Sequence, residues 1–225
     1  RCETPLSNTE TRMDDVYRDR QDPALTVGFE LDTGERLLAW TTTPWTLPSN
    51  LALAVGNDID YAVVNLDGVR YVIAESLLGS YSAELGEATV VETRKGSEFV
   101  GRRYRPLFDY FAETERFGTA EAFQVLGADF VSTEDGTGIV HLAPGFGEDD
   151  QLVANAAGIP TICPMDEHGR YTAEITDWAG THVFDANPLV IRALKERGVV
   201  VRHATYDHSY PHCWRCAQPL VYRAI

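Results

Sequence analysis

The chain has 225 residues, of which 44% are hydrophobic and 10% aromatic, with 34 acidic residues against 19 basic ones and a formal net charge of −15. That length and apolar content supply a buried core for one large or two small domains and exclude an intrinsically disordered chain. No apolar run approaches the roughly 20 residues that cross a bilayer, and Arg1-Cys2-Glu3-Thr4-Pro5 has no secretory pattern. A cytoplasmic protein with no membrane partner is expected, and the acidic balance argues against gripping nucleic acid, whose phosphates are bound mainly by Lys and Arg.

From the N-terminus, apolar and β-branched stretches at 25–31, 37–43, 51–55, 61–66 and 69–74 predict strands, broken by Asp32-Thr33-Gly34 and by the hairpin signal Asp67-Gly68. A short helix is predicted over 76–85 and a strand over 88–93, followed by two strands at 125–132 and 138–142 around the turn 134–137. Near the end, Asp185 or Asn187 can cap a helix that starts at Pro188, carries Leu189, Val190, Ile191 and Leu194 on one face and stops at Gly198. The pattern is α+β: mostly antiparallel strands closing toward a β-barrel-like form with short helices around it, in one domain spanning 1–225.

The four cysteines, Cys2, Cys163, Cys213 and Cys216, read as reduced thiols or metal ligands rather than disulfides. Arg1-Cys2-Glu3-Thr4-Pro5-Leu6 and Arg215-Cys216-Ala217-Gln218-Pro219-Leu220 share the pattern R-C-x-x-P-L, and Cys213 completes a C-x-x-C pair with Cys216. The partner of Cys2 would lie before the first residue, so 1–6 and 210–220 read as halves of a zinc-knuckle stalk in a longer protein, with Cys2, Cys213 and Cys216 as an incomplete four-thiolate set. Cys163 reads as a small buried hydrophobe.

Two segments carry chemistry. Trp40-Thr41-Thr42-Thr43-Pro44-Trp45-Thr46-Leu47-Pro48-Ser49-Asn50 runs a strand into a turn whose prolines restrict the backbone and hold several hydroxyls in place. Gly136 to Asp150 is a strand ending in His141, a Gly/Pro turn, then Glu148-Asp149-Asp150 opening a helix. One acid can cap that helix while another pairs with a cation. Three acids there repel phosphate, and no P-loop pattern is present. On the residues alone, a strand-end Thr cluster and a structural His remain open readings.

Those two segments, with Tyr210-Pro211-His212-Cys213-Trp214-Arg215-Cys216, Gly101 to Phe108 and Val183 to Leu189, closely resemble the editing domain inserted in the catalytic core of isoleucyl-tRNA synthetases. Thr43 and Trp45 stand where the valyl and leucyl branches carry Arg and an acid, while Phe146 and Glu148 depart from the G-H-G-P-D-D of many bacterial members. The resemblance implies hydrolysis of valine wrongly esterified to isoleucine tRNA after transfer, with hydrolysis at the valyl-adenylate stage as a second expectation. One methylene discriminates by only about 1–3 kcal/mol, a limit for which this synthetase is itself the usual illustration.

The resemblance further implies that Asp150 holds the substrate α-ammonium, that His141 shapes the side-chain pocket and excludes isoleucine, and that Thr41, Thr42 and Thr43 line the pocket. Asp150, Thr43 and His141 are then the catalytic set, with Trp45 and Asn50 nearby. Editing needs no cofactor. ATP and magnesium would belong to the catalytic core of the longer protein, since the chain lacks H-I-G-H-like and K-M-S-K-S-like signatures. The expected partner is the aminoacylated 3′ end of isoleucine tRNA, bound by a monomeric fragment. A non-catalytic acidic module that holds the tRNA acceptor end is the competing expectation.

Overall fold

The computed structural model describes residues 5–7, 9–12 and 16–224. Strands β1 (Tyr17–Glu30) and β2 (Arg36–Thr41) pair antiparallel, and β3 (Ala52–Val55) follows the turn that leaves β2. Next come β4 (Asp60–Leu66) and β5 (Val69–Ala74), joined by Asp67 and Gly68 at φ 52° and 85°. Two consecutive left-handed residues make the turn whose twist matches a hairpin, as Asp-Gly predicts. The remaining strands are β6 (Thr89–Lys95), β7 (Gln124–Gly127), β8 (Ile139–Leu142) and β9 (Val200–Pro211). Helices are α1 (Ser82–Leu85), α2 (Thr114–Phe117), α3 (Glu148–Ala156) and α4 (Val183–Glu196).

The architecture is mixed α+β and mostly antiparallel. Six strands run in the order β6-β4-β5-β2-β1-β9 and three in the order β7-β3-β8, with only β2–β5 and β3–β7 parallel among the described residues. Closure into a barrel-like form is not seen in this pairing. β6 and β9 stand at opposite edges, and the sheet is covered by other elements rather than joined to itself.

Strand β3 shows how the layers meet. Alternation sends Leu53 and Val55 into a core shared with Leu25, Val27, Phe29, Leu38 and Val63 of the large sheet, and Ala52 and Ala54 into a second core with Trp45, Leu142 and Ala186. Both faces are buried, which explains a run of apolar residues without a polar side.

Three expectations are corrected. The strands expected at 125–132 and 138–142 do not pair with each other. β7 stops at Gly127, and β3 lies between it and β8. The late helix starts at Val183 with His182 as its cap, leaving Pro188 inside it, while Gly198, at φ 67°, ends it as read. Finally, β1 begins at Tyr17 because it pairs along its length with β9, a polar strand that apolar periodicity does not reveal. Beyond the sheet these two strands continue as a two-stranded ribbon toward the chain ends.

Candidate active site

Where β2 ends, Pro44 opens a 3-10 turn over Pro44–Ser49 that folds the threonines back on one another. The Thr43 amide donates to Thr41 Oγ1 at 3.0 Å, Thr41 and Thr43 hydroxyls lie 3.2 Å apart, and Thr43 and Thr46 hydroxyls are also 3.2 Å apart. Thr46 donates its single hydroxyl proton to the Thr43 carbonyl at 2.8 Å. Its oxygen must therefore accept from His141 Nε2, 2.9 Å away, which places the ring proton on Nε2.

The other side of the imidazole is set by Asn50. Tyr104 donates its hydroxyl to Asn50 Oδ1 at 2.6 Å and Asn50 Nδ2 donates to the Ala52 carbonyl at 2.8 Å, which fixes the amide orientation. Nδ2 then faces His141 Nδ1 at 3.5 Å, the acceptor side of the ring. His141 is only 8% exposed, and burial pushes its pKa down to about 4. A neutral, pinned imidazole is a wall and a hydrogen-bond anchor at neutral pH, not a cation.

Along this relay the protons run Thr41 to Thr43 to Thr46. Each of Thr41 and Thr43 keeps one acceptor lone pair, so the strip is suited to a donor such as an ammonium group or a water.

Asp150 lies in the first turn of α3, after the loop that leaves β8. Its Oδ2 accepts the Ala143 amide at 2.8 Å, two residues past His141, and no side chain caps α3, whose N-cap is Gly147. A Cβ at Gly147 would lie 2.8 Å from Asp150 Cγ, so glycine makes room for the carboxylate to fold against the loop. Burial pushes the Asp150 pKa up to about 6, opposed by the Ala143 amide and reinforced by Asp149. The loop itself is pinned by the Ala224 amide, which donates to the Gly145 carbonyl at 2.8 Å.

The fold thus brings Thr41, Thr43, Asn50 and His141 into one network and holds Asp150 at the next loop. Thr42 is half-buried and makes no side-chain hydrogen bond among the described residues. Trp45 is 3% exposed, its ring edge-to-face with Phe146 and Phe184 at 4.9 and 6.3 Å, and so forms part of the second core behind the turn. Its amide donates to Asn187 Oδ1 at 3.0 Å and its carbonyl accepts the Tyr171 hydroxyl. Sequence reading left Thr46 and Tyr104 outside the site. Thr46 was detectable from its place in the proline-bounded turn, whereas nothing local marks Tyr104, 54 residues from its partner.

Of the thiols, Cys2 lies outside the described residues. Cys213 and Cys216 sit on a turn in which the Cys213 amide donates to the Gln218 carbonyl at 2.7 Å, the Ala217 amide donates to the Cys213 carbonyl at 2.8 Å, and Ala217 has φ 56°. This turn carries two of the three expected thiols; among the described residues no group of three or more metal-binding side chains is assembled. Glu10, from the N-terminal segment, reaches this turn, accepting from Trp214 Nε1 at 3.1 Å and Arg215 at 2.6 Å.

No protein-family model matches the chain. Its fold is that of the CP1 editing domains of leucyl-tRNA synthetases. GlLeuRS-CP1 superposes with a TM-score of 0.59 at 16% identity, over 80% of this chain and 99% of that one. The editing domain of the P. knowlesi cytosolic leucyl-tRNA synthetase superposes with a TM-score of 0.57 at 11% identity, over 84% and 97%.

By sequence the chain groups with isoleucine–tRNA ligases. It is 52% identical over 243 aligned residues to that of Mycobacterium tuberculosis, covering all of this chain and 23% of the ligase. Identity to the Rickettsia felis ligase is 49% over 247 residues, with 100% and 22% covered. The chain therefore spans less than a quarter of the length of these relatives.

Proposed function

We propose that this chain carries the editing site of an isoleucine–tRNA ligase and hydrolyses the ester of valine mischarged on isoleucine tRNA. The observation that carries this reading is the hydroxyl relay Thr41–Thr43–Thr46 locked onto the neutral His141, with the Asp150 carboxylate held at the adjoining loop.

In this reading Asp150 accepts the substrate α-ammonium, a charge-assisted hydrogen bond that requires the ionised carboxylate. Thr41 and Thr43 offer their lone pairs to the attacking water, and His141, unable to move, bounds the pocket that admits valine and excludes isoleucine. An aminoacyl ester is already activated, so holding water beside it accounts for hydrolysis without a strong base. Valyl-adenylate presents the same α-ammonium and side chain and would enter the same pocket. The partner is the aminoacylated 3′ end of the tRNA, and ATP and magnesium chemistry belongs to the rest of the ligase. Cys213 and Cys216, with Cys2, would serve a structural zinc joining the two ends of the chain.

The test is deacylation of Val-tRNA(Ile) and Ile-tRNA(Ile) by the ligase that contains this segment. Loss of Val-tRNA hydrolysis in Asp150→Asn, with aminoacylation retained, is expected. Undiminished hydrolysis refutes the assignment.

A further inference from the structure

An open cavity of about 550 Å³ is lined by Thr33, Glu35, Arg70, Arg94, Glu98 and Arg102. It shares no lining residue with the threonine turn, β8 or α3. The large sheet assembles it. The parallel pairing of β2 with β5 sets Arg36 against Tyr71, so Glu35 and Arg70 stand at the same end of that pair, and Arg94 comes from β6, on the far side of β4. Glu98 and Arg102 come from the 3-10 turn Gly96–Glu98 and the residues after it. In a chain of net charge −15, three arginines thus meet in one concavity.

The six side chains divide into an engaged half and a free half. Arg94 bonds Glu35 Oε1 at 2.9 Å and also pairs with Glu92, and its guanidinium carbon lies 5.6 Å from the Phe99 ring centre. Glu35 is 3% exposed, and its other oxygen accepts from Thr33 Oγ1 at 2.6 Å, so both carboxylate oxygens are engaged. Arg70 and Arg102 are exposed, and their side chains make no hydrogen bond or ion pair among the described residues. The charge of Arg70 reaches Glu92, which is already bound to Arg94. Glu98 accepts the Lys95 amide on Oε1 at 3.0 Å, while its Oε2 has no hydrogen-bond partner among the described residues.

We propose that this cavity binds a small phosphate monoester that carries hydroxyl groups, a ligand of the sugar-phosphate class. Two unpaired guanidiniums match the geometry and the double charge of a monoester phosphate, whereas a diester carries a single charge. The Glu98 carboxylate would repel a bare anion, but it accepts a hydroxyl proton from the same ligand. Carboxylates take ribose hydroxyls in this way in dinucleotide sites. No aliphatic or aromatic side chain lines the cavity, so nothing there would hold an apolar body or stack a base. The volume lies within the range of small-molecule sites. This proposal does not depend on the editing reading.

The test is isothermal titration calorimetry of the chain at low salt and neutral pH, where screening is weak and the monoester is doubly charged. The probes are glycerol phosphate, inorganic phosphate and dimethyl phosphate. Glycerol phosphate should bind most tightly, and dimethyl phosphate at least about ten-fold more weakly. Arg70→Gln and Arg102→Gln, at exposed positions that leave the core untouched, should each weaken glycerol phosphate about ten-fold, the loss of one charged hydrogen bond. Arg18→Gln removes the same charge outside the cavity and should leave binding unchanged. Glu98→Gln keeps an acceptor for the Lys95 amide, and should improve inorganic phosphate binding while abolishing the preference for glycerol phosphate. Absence of saturable binding by the parent chain, equal loss in Arg18→Gln, equal binding of dimethyl phosphate, or a preference that survives Glu98→Gln overturns the proposal.

Discussion

His141 Nε2 lies 2.9 Å from Thr46 Oγ1, a hydrogen bond that joins the end of β8 to the turn after β2 across 95 residues of chain. The Thr46 proton is committed to the Thr43 carbonyl, so this contact fixes the imidazole's tautomer as well as its position. In the proposed editing reading, this contact holds in place the side chain that bounds the substrate pocket.

His141→Ala should therefore enlarge the pocket rather than abolish chemistry. Hydrolysis of Ile-tRNA(Ile) is expected to rise at least several-fold while that of Val-tRNA(Ile) persists. One added methylene is worth only about 1–3 kcal/mol in such a pocket, so a modest change in volume suffices. Correctly charged product that stays untouched would remove His141 as the gate.

Asp150→Asn keeps shape and removes charge. A hydrogen bond to a charged group is worth about 1.5–3 kcal/mol, so deacylation should fall by roughly 10- to 150-fold. In the parent chain, activity should climb as pH rises through about 6, where the carboxylate ionises.

Stability should move the other way. The native Asp150 pKa is raised, so between about 4 and 6 the folded state holds more protons than the unfolded state and stability falls as pH rises. Asp150→Asn removes that loss and should stabilise the chain at neutral pH by an amount on the order of 2 kcal/mol. His141 has the opposite sign, since its pKa is lowered to about 4 and its contribution is lost as pH falls below about 6.5. Urea unfolding of both forms from pH 4 to 7 separates them: the difference curve should grow toward neutrality, and a flat one contradicts the raised pKa.

Gly147→Ala tests the cradle of the carboxylate. The added Cβ would lie 2.8 Å from Asp150 Cγ, a contact relieved by turning the side chain off the Ala143 amide. Deacylation should drop with a stability cost within about 1 kcal/mol, the usual range for a changed N-cap. Full activity would show that the carboxylate's present position is unimportant.

Tyr104→Phe removes the donor to Asn50 Oδ1, which is buried with its residue 5% exposed. A buried acceptor left unpaired costs about 1–3 kcal/mol, measurable by denaturant unfolding, and the Asn50 amide should lose its fixed orientation against His141. A more relaxed choice between Val-tRNA and Ile-tRNA is expected alongside. Unchanged stability and selectivity would separate Tyr104 from the site.

Features that depend on a few neighbouring residues were legible in the sequence. Asp67-Gly68 forms its hairpin turn because both residues tolerate left-handed φ, Gly198 ends α4 for the same reason, and Pro44 folds the threonine segment wherever that segment is placed. Val190, Ile191 and Leu194 bury one face of α4 because helical period dictates it. Only the tertiary structure decided that β3 separates β7 from β8, that the polar β9 pairs with β1, and that Thr46, Asn50 and Tyr104 converge on His141. Those pairings join residues 54 to 194 positions apart, where no local backbone preference acts. The pKa values of His141 and Asp150 likewise follow from burial, a property of the packed environment that the residue types alone do not carry.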